Sequence, residues 1–194
     1  MKKIIMLYSI AMSMLILIQG GYAQDLLQKE KSEKNFKKEE KKQQKQAAQL
    51  ADFNEAKAMA EAKRFVFTAS ELFTSEGSAP LTGRTNFFYV IGDEATLQFA
   101  FEALQSIPNP NGLGGITSQG KVVNYNYKAD NPKKPVQIEV TVQPLAGQGS
   151  GVHQLVLTIY GEGYAELLLQ GSGTRVKGSV VKPENSKIYE GTQR

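Results

Sequence analysis

Val136-Gln137-Ile138-Glu139-Val140-Thr141-Val142 places an apolar residue at every even position and a polar one at every odd position. A period of two belongs to a strand with one face buried and the other wet. Residues 152–160 (VHQLVLTIY) and 164–170 (YAELLLQ) follow the same rule, and turn residues separate the three segments: Ala146 to Gly151 first, then Gly161-Glu162-Gly163. Such short connections make successive strands antiparallel neighbours. Upstream, Asn131-Pro132-Lys133-Lys134-Pro135 joins this run to 121–128 (KVVNYNYK) in the same way, so four strands form a meander. Four further segments read as strands: 65–70 (FVFTAS), 86–93 (NFFYVIGD), 95–103 (ATLQFAFEA) and 174–181 (TRVKGSVV). The count of about eight predicts a mainly β fold over residues 65–183, an antiparallel barrel or sandwich.

Residues 24–64 have a different chemistry. No Gly or Pro occurs between Asp25 and Arg64, and Lys, Glu, Gln and Ala dominate, so a charged helical segment is expected. At 100° per residue Lys34, Lys37, Lys38, Lys41, Lys42 and Lys45 fall within an arc of about 140°, a stripe able to meet an anionic surface. Further along, Leu50, Phe53 and Ala60 share one narrow side, which predicts that the last turns dock on the β domain. Residues 184–194 read as a flexible tail.

The chain opens with Lys2 and Lys3, an apolar run from Ile4 to Ile18, and the small residues Gly21 and Ala23. This is the layout of a cleavable secretory signal over residues 1–23. The run is shorter than the ~20 residues a membrane span needs. A periplasmic or secreted protein with no integral span after cleavage is therefore expected. Cysteine is absent, which excludes disulfides, thiolate chemistry and lipidation at a cysteine. About 170 residues would remain after cleavage, enough for one domain with a sizeable core.

The net charge of +4 is unevenly placed. Residues 25–64 carry eleven Lys/Arg against eight Asp/Glu, and residues 65–194 carry ten against eleven. A neutral domain lacks the concentrated basic face that phosphate neutralisation requires, so no nucleic-acid partner is expected.

Catalytic patterns are sparse. His153 is the single histidine, so a histidine metal cluster is impossible and a Ser/His/Asp arrangement would rest on it alone. Its place at a strand start after a glycine-rich loop predicts an exposed side chain. Carboxylates of the β domain are scattered: Asp93-Glu94 is the one adjacent acidic pair, and Glu162 and Glu166 flank one hairpin. Gly161-x-Gly163 and Gly171-Ser172-Gly173 lack the helix and the Lys-Ser/Thr that phosphate loops require. No metal, no cofactor and no enzymatic activity are expected. Aromatic pairs at spacing two (Phe65/Phe67, Phe87/Tyr89, Phe99/Phe101, Tyr125/Tyr127) belong mainly to a core, with Phe99, Tyr125 and Tyr127 as candidates to line a ligand cavity. The irregular stretch 104–120 (LQSIPNPNGLGGITSQG) is a candidate rim over such a site.

Several of these residues carry a family resemblance: Phe65-x-Phe67-x-Ala69, Tyr89-x-Ile91-Gly92-Asp93, Gly115-Ile116, Leu155-x-Leu157-x-Ile159 and Gly163-x-Ala165-x-Leu167. Over roughly residues 50–183 the chain resembles a family of exported Bacteroidetes proteins known only as a domain of unknown function. The resemblance implies an exported all-β domain behind a leading helix, and no catalytic residues. One departure is Leu97 to Ala103, which lacks the Pro, Gly and Arg that the family usually shows there. The function expected is a non-enzymatic periplasmic binding domain for a small apolar or amphipathic ligand or an envelope protein. The alternative is a structural protein whose lysine-rich helix pairs with a partner or an anionic envelope surface.

Overall fold

The computed structural model describes residues 2–74, 77–100, 116–146 and 151–191. The chain divides into two compact units, residues 1–48 and 49–194. The first is helical, and residues 31–48 are exposed all round, as their Lys, Glu and Gln content dictates. Helix α1 runs Lys2–Glu61, so its last three turns belong to the second unit.

The second unit is an eight-stranded antiparallel closed barrel with one extra hairpin strand. Its strands are β1 (Arg64–Thr74), β2 (Gly77–Pro80), β3 (Phe87–Ile91), β4 (Glu94–Phe99), β5 (Ile116–Lys128), β6 (Val136–Pro144), β7 (His153–Ile159), β8 (Tyr164–Leu169) and β9 (Thr174–Val181). From β3 to β9 each strand pairs with the next, and β1 pairs with both β3 and β9, which closes the ring. Closure decides between the two architectures left open by the strand count: the fold is a barrel. It also removes the exposed edges that a sheet of this width would carry.

The seam between β1 and β9 depends on one residue. Gly178 lies opposite Ala69, and a Cβ on it would stand 2.0 Å from the carbonyl oxygen of Thr68. The register slips between Ala69 and Glu71, a bulge of the kind that bends a strand and increases its twist. Gly120 plays the same part between β5 and β6, where a Cβ would stand 2.4 Å from the Gln143 carbonyl.

The alternation in β6 is realised as written, with Val136, Ile138, Val140 and Val142 buried. They join Phe65, Phe67, Phe88, Val90, Leu97, Leu157 and Leu167 in one core. Eight strands leave an interior that side chains just fill.

The clearest differences from the sequence reading concern β1, β2 and β5. β1 continues four residues past Ser70 and turns back into β2, whose Gly77-Ser78-Ala79-Pro80 lacks any strand signature and pairs only along its edge with residues 71–74. β5 starts at Ile116 rather than Lys121, because ladder hydrogen bonds to β4 hold Thr117 to Gly120 in spite of their loop-like composition. The remainder of the candidate rim, up to Gly115, lies outside the described residues, as does most of the glycine-rich loop before His153.

Residues 184–194 are not simply a loose tail. After a 3-10 turn at Pro183–Asn185, Tyr189 to Gly191 are hydrogen-bonded to the barrel wall, and only 192–194 lie outside the described residues.

Candidate functional site

The barrel has two unlike ends and one unusual wall. The end formed by the start of β1, β6 and β8 is covered by the last turns of α1. Ala56, Met59 and Ala60 are buried in the barrel core, with Phe53 packed beside them. These sit three, four and seven residues apart on one helical face. Two alanines on that face let the helix lie close. Leu50, expected on the same side, is 47% exposed: one turn further back it has passed the rim of the barrel.

The helix end is fastened by polar contacts. Lys63 adopts a left-handed backbone (φ 49°), a conformation that normally ends helices at glycine. Its carbonyl accepts from Gly92 N at 2.9 Å, its ammonium lies 3.1 Å from Asp93 and 5.3 Å from the centre of the Tyr125 ring. A cation there complements the helix C-terminus. Tyr125 Oη donates to the Ala60 carbonyl at 2.7 Å, and Tyr127 Oη to Glu61 Oε1 at 3.2 Å. Burial pushes the Tyr125 phenol well up from its ordinary range, so it remains a donor. Gln49 Nε2 donates to the Pro132 carbonyl at 3.1 Å, and Glu162 N donates to Asp52 Oδ2 at 2.9 Å. Between these fastenings lie two clefts, one of about 140 Å³ beside Phe53, Pro135 and Ile159, and one of about 360 Å³ bordered by Glu55, Met59, Val180 and Lys182.

The opposite end carries a polar pair in an apolar interior. Ser118 faces inward on β5, and His153 does so on β7, next to Val142 across the ladder. Their Nε2 and Oγ atoms are 3.1 Å apart. His153 is half-buried rather than exposed, because it lies in step with the inward neighbours that follow it at intervals of two, Leu155, Leu157 and Ile159. Burial lowers its pKa, so the ring is neutral at pH 7. A serine and a neutral histidine at this distance resemble a nucleophile and base. Among the described residues no group of three His, Asp or Glu is placed to hold a metal ion.

The residues expected to line a cavity are divided between these ends. Phe99 is buried and pairs with Ile116 at the His153 end. Tyr125 lies nine residues further along β5 (125 minus 116), about 30 Å at the usual rise per residue. Tyr125 and Tyr127 therefore serve the helix contact, and Phe99 stands apart from them. The lysines of the stripe, Lys34, Lys37, Lys38, Lys41, Lys42 and Lys45, are all exposed on α1. Among the described residues, no helix is long and apolar enough to cross a membrane.

The wall is the outer face of β3, β4 and β5. Gln98 is fully buried there although its side chain points away from the core. Its Nε2 donates to the carbonyls of Thr85 (3.0 Å) and Tyr189 (2.9 Å), and its Oε1 accepts from Gly191 N (3.1 Å) and Thr117 Oγ1 (3.3 Å). Beside it, the Glu190 carboxylate accepts from Tyr89 Oη at 3.3 Å and from Gln119 Nε2. Asn86, also buried, holds the adjoining turn through the Thr82 carbonyl and Ala100 N. Gln98 only continues the polar positions Glu94 and Thr96 of β4, so nothing in the alternation marked this face as covered.

The fold is a closed antiparallel barrel with a helix over one end, and comparison with known proteins supplies the family. The model of a domain of unknown function, DUF4251, matches residues 39–176, and the chain belongs to that family. It is similar to a solved DUF4251 family protein from Bacteroides eggerthii, with 26% identity and a TM-score of 0.57, over 77% of this chain and 99% of that one. No curated protein matches it.

Proposed function

We propose that this chain is an exported, non-enzymatic binding domain of the periplasm or cell exterior whose ligand is an envelope polypeptide. Export is supported by the Lys2-Lys3, apolar and small-residue order of residues 1–23. The observation that carries the binding reading is the outer wall of β3 to β5, where a buried glutamine reads the backbone of an extended segment. A side-chain amide that bonds a main-chain N–H and C=O holds a segment without regard to the side chains of the residues it bonds. The interior favours a polypeptide over a small ligand held within the barrel, since Phe65, Phe67, Phe88, Ile138 and Leu157 fill it. A second reading, an amphipathic ligand entering at the His153 end, is supported by the Ser118–His153 pair as a polar anchor beside Phe99 and Val142. The lysine stripe supplies a further means of meeting an anionic envelope surface.

Native mass spectrometry of the full chain, gently purified from the compartment that contains it, tests the choice. An added mass of several kilodaltons is expected. An added mass of a few hundred daltons would instead support the amphipathic ligand, and recovery of the bare chain under both native and cross-linked conditions would sink both.

A further inference from the structure

The segment Tyr189-Glu190-Gly191 is bound to the wall in the manner of a peptide ligand. Tyr189 N donates to the Arg84 carbonyl at 2.6 Å, its carbonyl accepts from Gln98, and Gly191 N donates back to Gln98. Thus Gln98 grips residues two apart by their main-chain atoms. The residue between them is read chemically: the Glu190 carboxylate takes one donor on each oxygen, from Tyr89 and Gln119. Gly191 is buried, whereas the Tyr189 side chain is 54% exposed. The recognition pattern is therefore a residue held by its main chain, then an acid, then a residue whose N–H is buried against the wall.

With the segment removed, Gln98 would keep its bonds to Thr85 and Thr117 and lose the other two. Water would take the two vacated sites, so an occupant competes with solvent through its main chain, and the Glu190 contacts supply the selectivity. The next segment back is held more lightly, by exposed ion pairs of Arg64 with Glu184 (3.9 Å) and Lys182 with Glu55 (3.1 Å). We propose that the β3–β5 wall is a groove for an extended acidic peptide of a partner chain, of the form x-Glu-Gly, and that residues 189–191 are its internal competitor. The proposal rests on the binding-domain reading and names the partner chemistry for it. A tethered competitor acts at millimolar effective concentration, so a partner must outbid it or be presented close by.

The test uses the full chain and a labelled peptide of the sequence of residues 187–194, followed by fluorescence anisotropy. Glu190→Gln in the chain weakens the internal competitor, so the peptide should bind that variant about tenfold more tightly than the wild type. A peptide with Gln in place of its Glu should bind about tenfold more weakly, and Tyr89→Phe added to the variant chain should weaken binding too. Absence of binding to the folded Glu190→Gln chain at about 1 mM peptide, the weakest affinity worth arguing from, would overturn the proposal. Equal affinity for wild type and variant would overturn it as well, since the peptide would then bind elsewhere. Unfolding of the Glu190→Gln chain would make residues 189–191 a structural strap, which also ends the proposal. An envelope polypeptide recovered from the native compartment that does not compete with the peptide would keep the binding-domain reading and remove this one.

Discussion

The two ends of the barrel use the same inward-facing positions for opposite purposes. At the α1 end the inward residues hold the cover: Tyr125 and Tyr127 bond the helix terminus, and Ile159 and Val180 belong to one core with Met59 and Ala56. At the His153 end the inward positions hold Phe99, Val142, Ser118 and His153, with a polar pair bonded to itself. The difference lies in what the polar groups bond. At the α1 end they fasten a cover made by another element, whereas at the His153 end a polar pair is bonded to itself.

Met59→Ala should have the largest effect, because it empties a buried position at the covered end. A loss of about 3 kcal/mol is expected in urea denaturation. A loss much below 1 kcal/mol would mean that the helix does not contribute to the core. Tyr125→Phe removes the donor to the Ala60 carbonyl while keeping the ring, and should cost about 1 kcal/mol in the same measurement.

At the other end the prediction concerns pH. The folded protein lowers the His153 pKa below 6.5 by burial, so the unfolded chain binds the proton more readily. This contribution to stability is fully present above pH 6.5 and is lost as pH falls through the lowered value. Thermal melts of the wild type and His153→Gln between pH 7.5 and 5 should diverge, with the wild type losing more. Parallel curves would place His153 in water. Smallest of all, Leu50→Ala should change stability by under about 0.5 kcal/mol, since half of that side chain is already in solvent.

Much of the barrel was legible because its strands are half-buried and antiparallel. Alternation shows in β6 and β7 residue by residue, and their turns are short and rich in Gly, Pro and Asn. β2 was not legible, since its four residues pair only with the end of β1 and bury nothing. The start of β5 was hidden for a related reason: Gly120 is there to allow close approach to Gln143, a need that arises between strands and not within one. The candidate site was less legible still. Phe99, Tyr125 and Tyr127 share an inner face, but spacing along a strand does not say how far along the barrel a neighbour lies.

By itself the sequence determined which segments are strands, that their neighbours are antiparallel, that 24–64 favours helix, and which faces are apolar. These follow from local periodicity and turn chemistry, which act over a few residues. Tertiary structure alone decided that the sheet closes, that the helix covers one end with Ala56, Met59 and Ala60, and that residues 189–191 lie on the wall beside Gln98. Each of these depends on pairing residues far apart in the chain, Gly178 against Thr68 and Gln98 against Gly191. Long-range registry is set by how the whole core packs, and no local pattern encodes it.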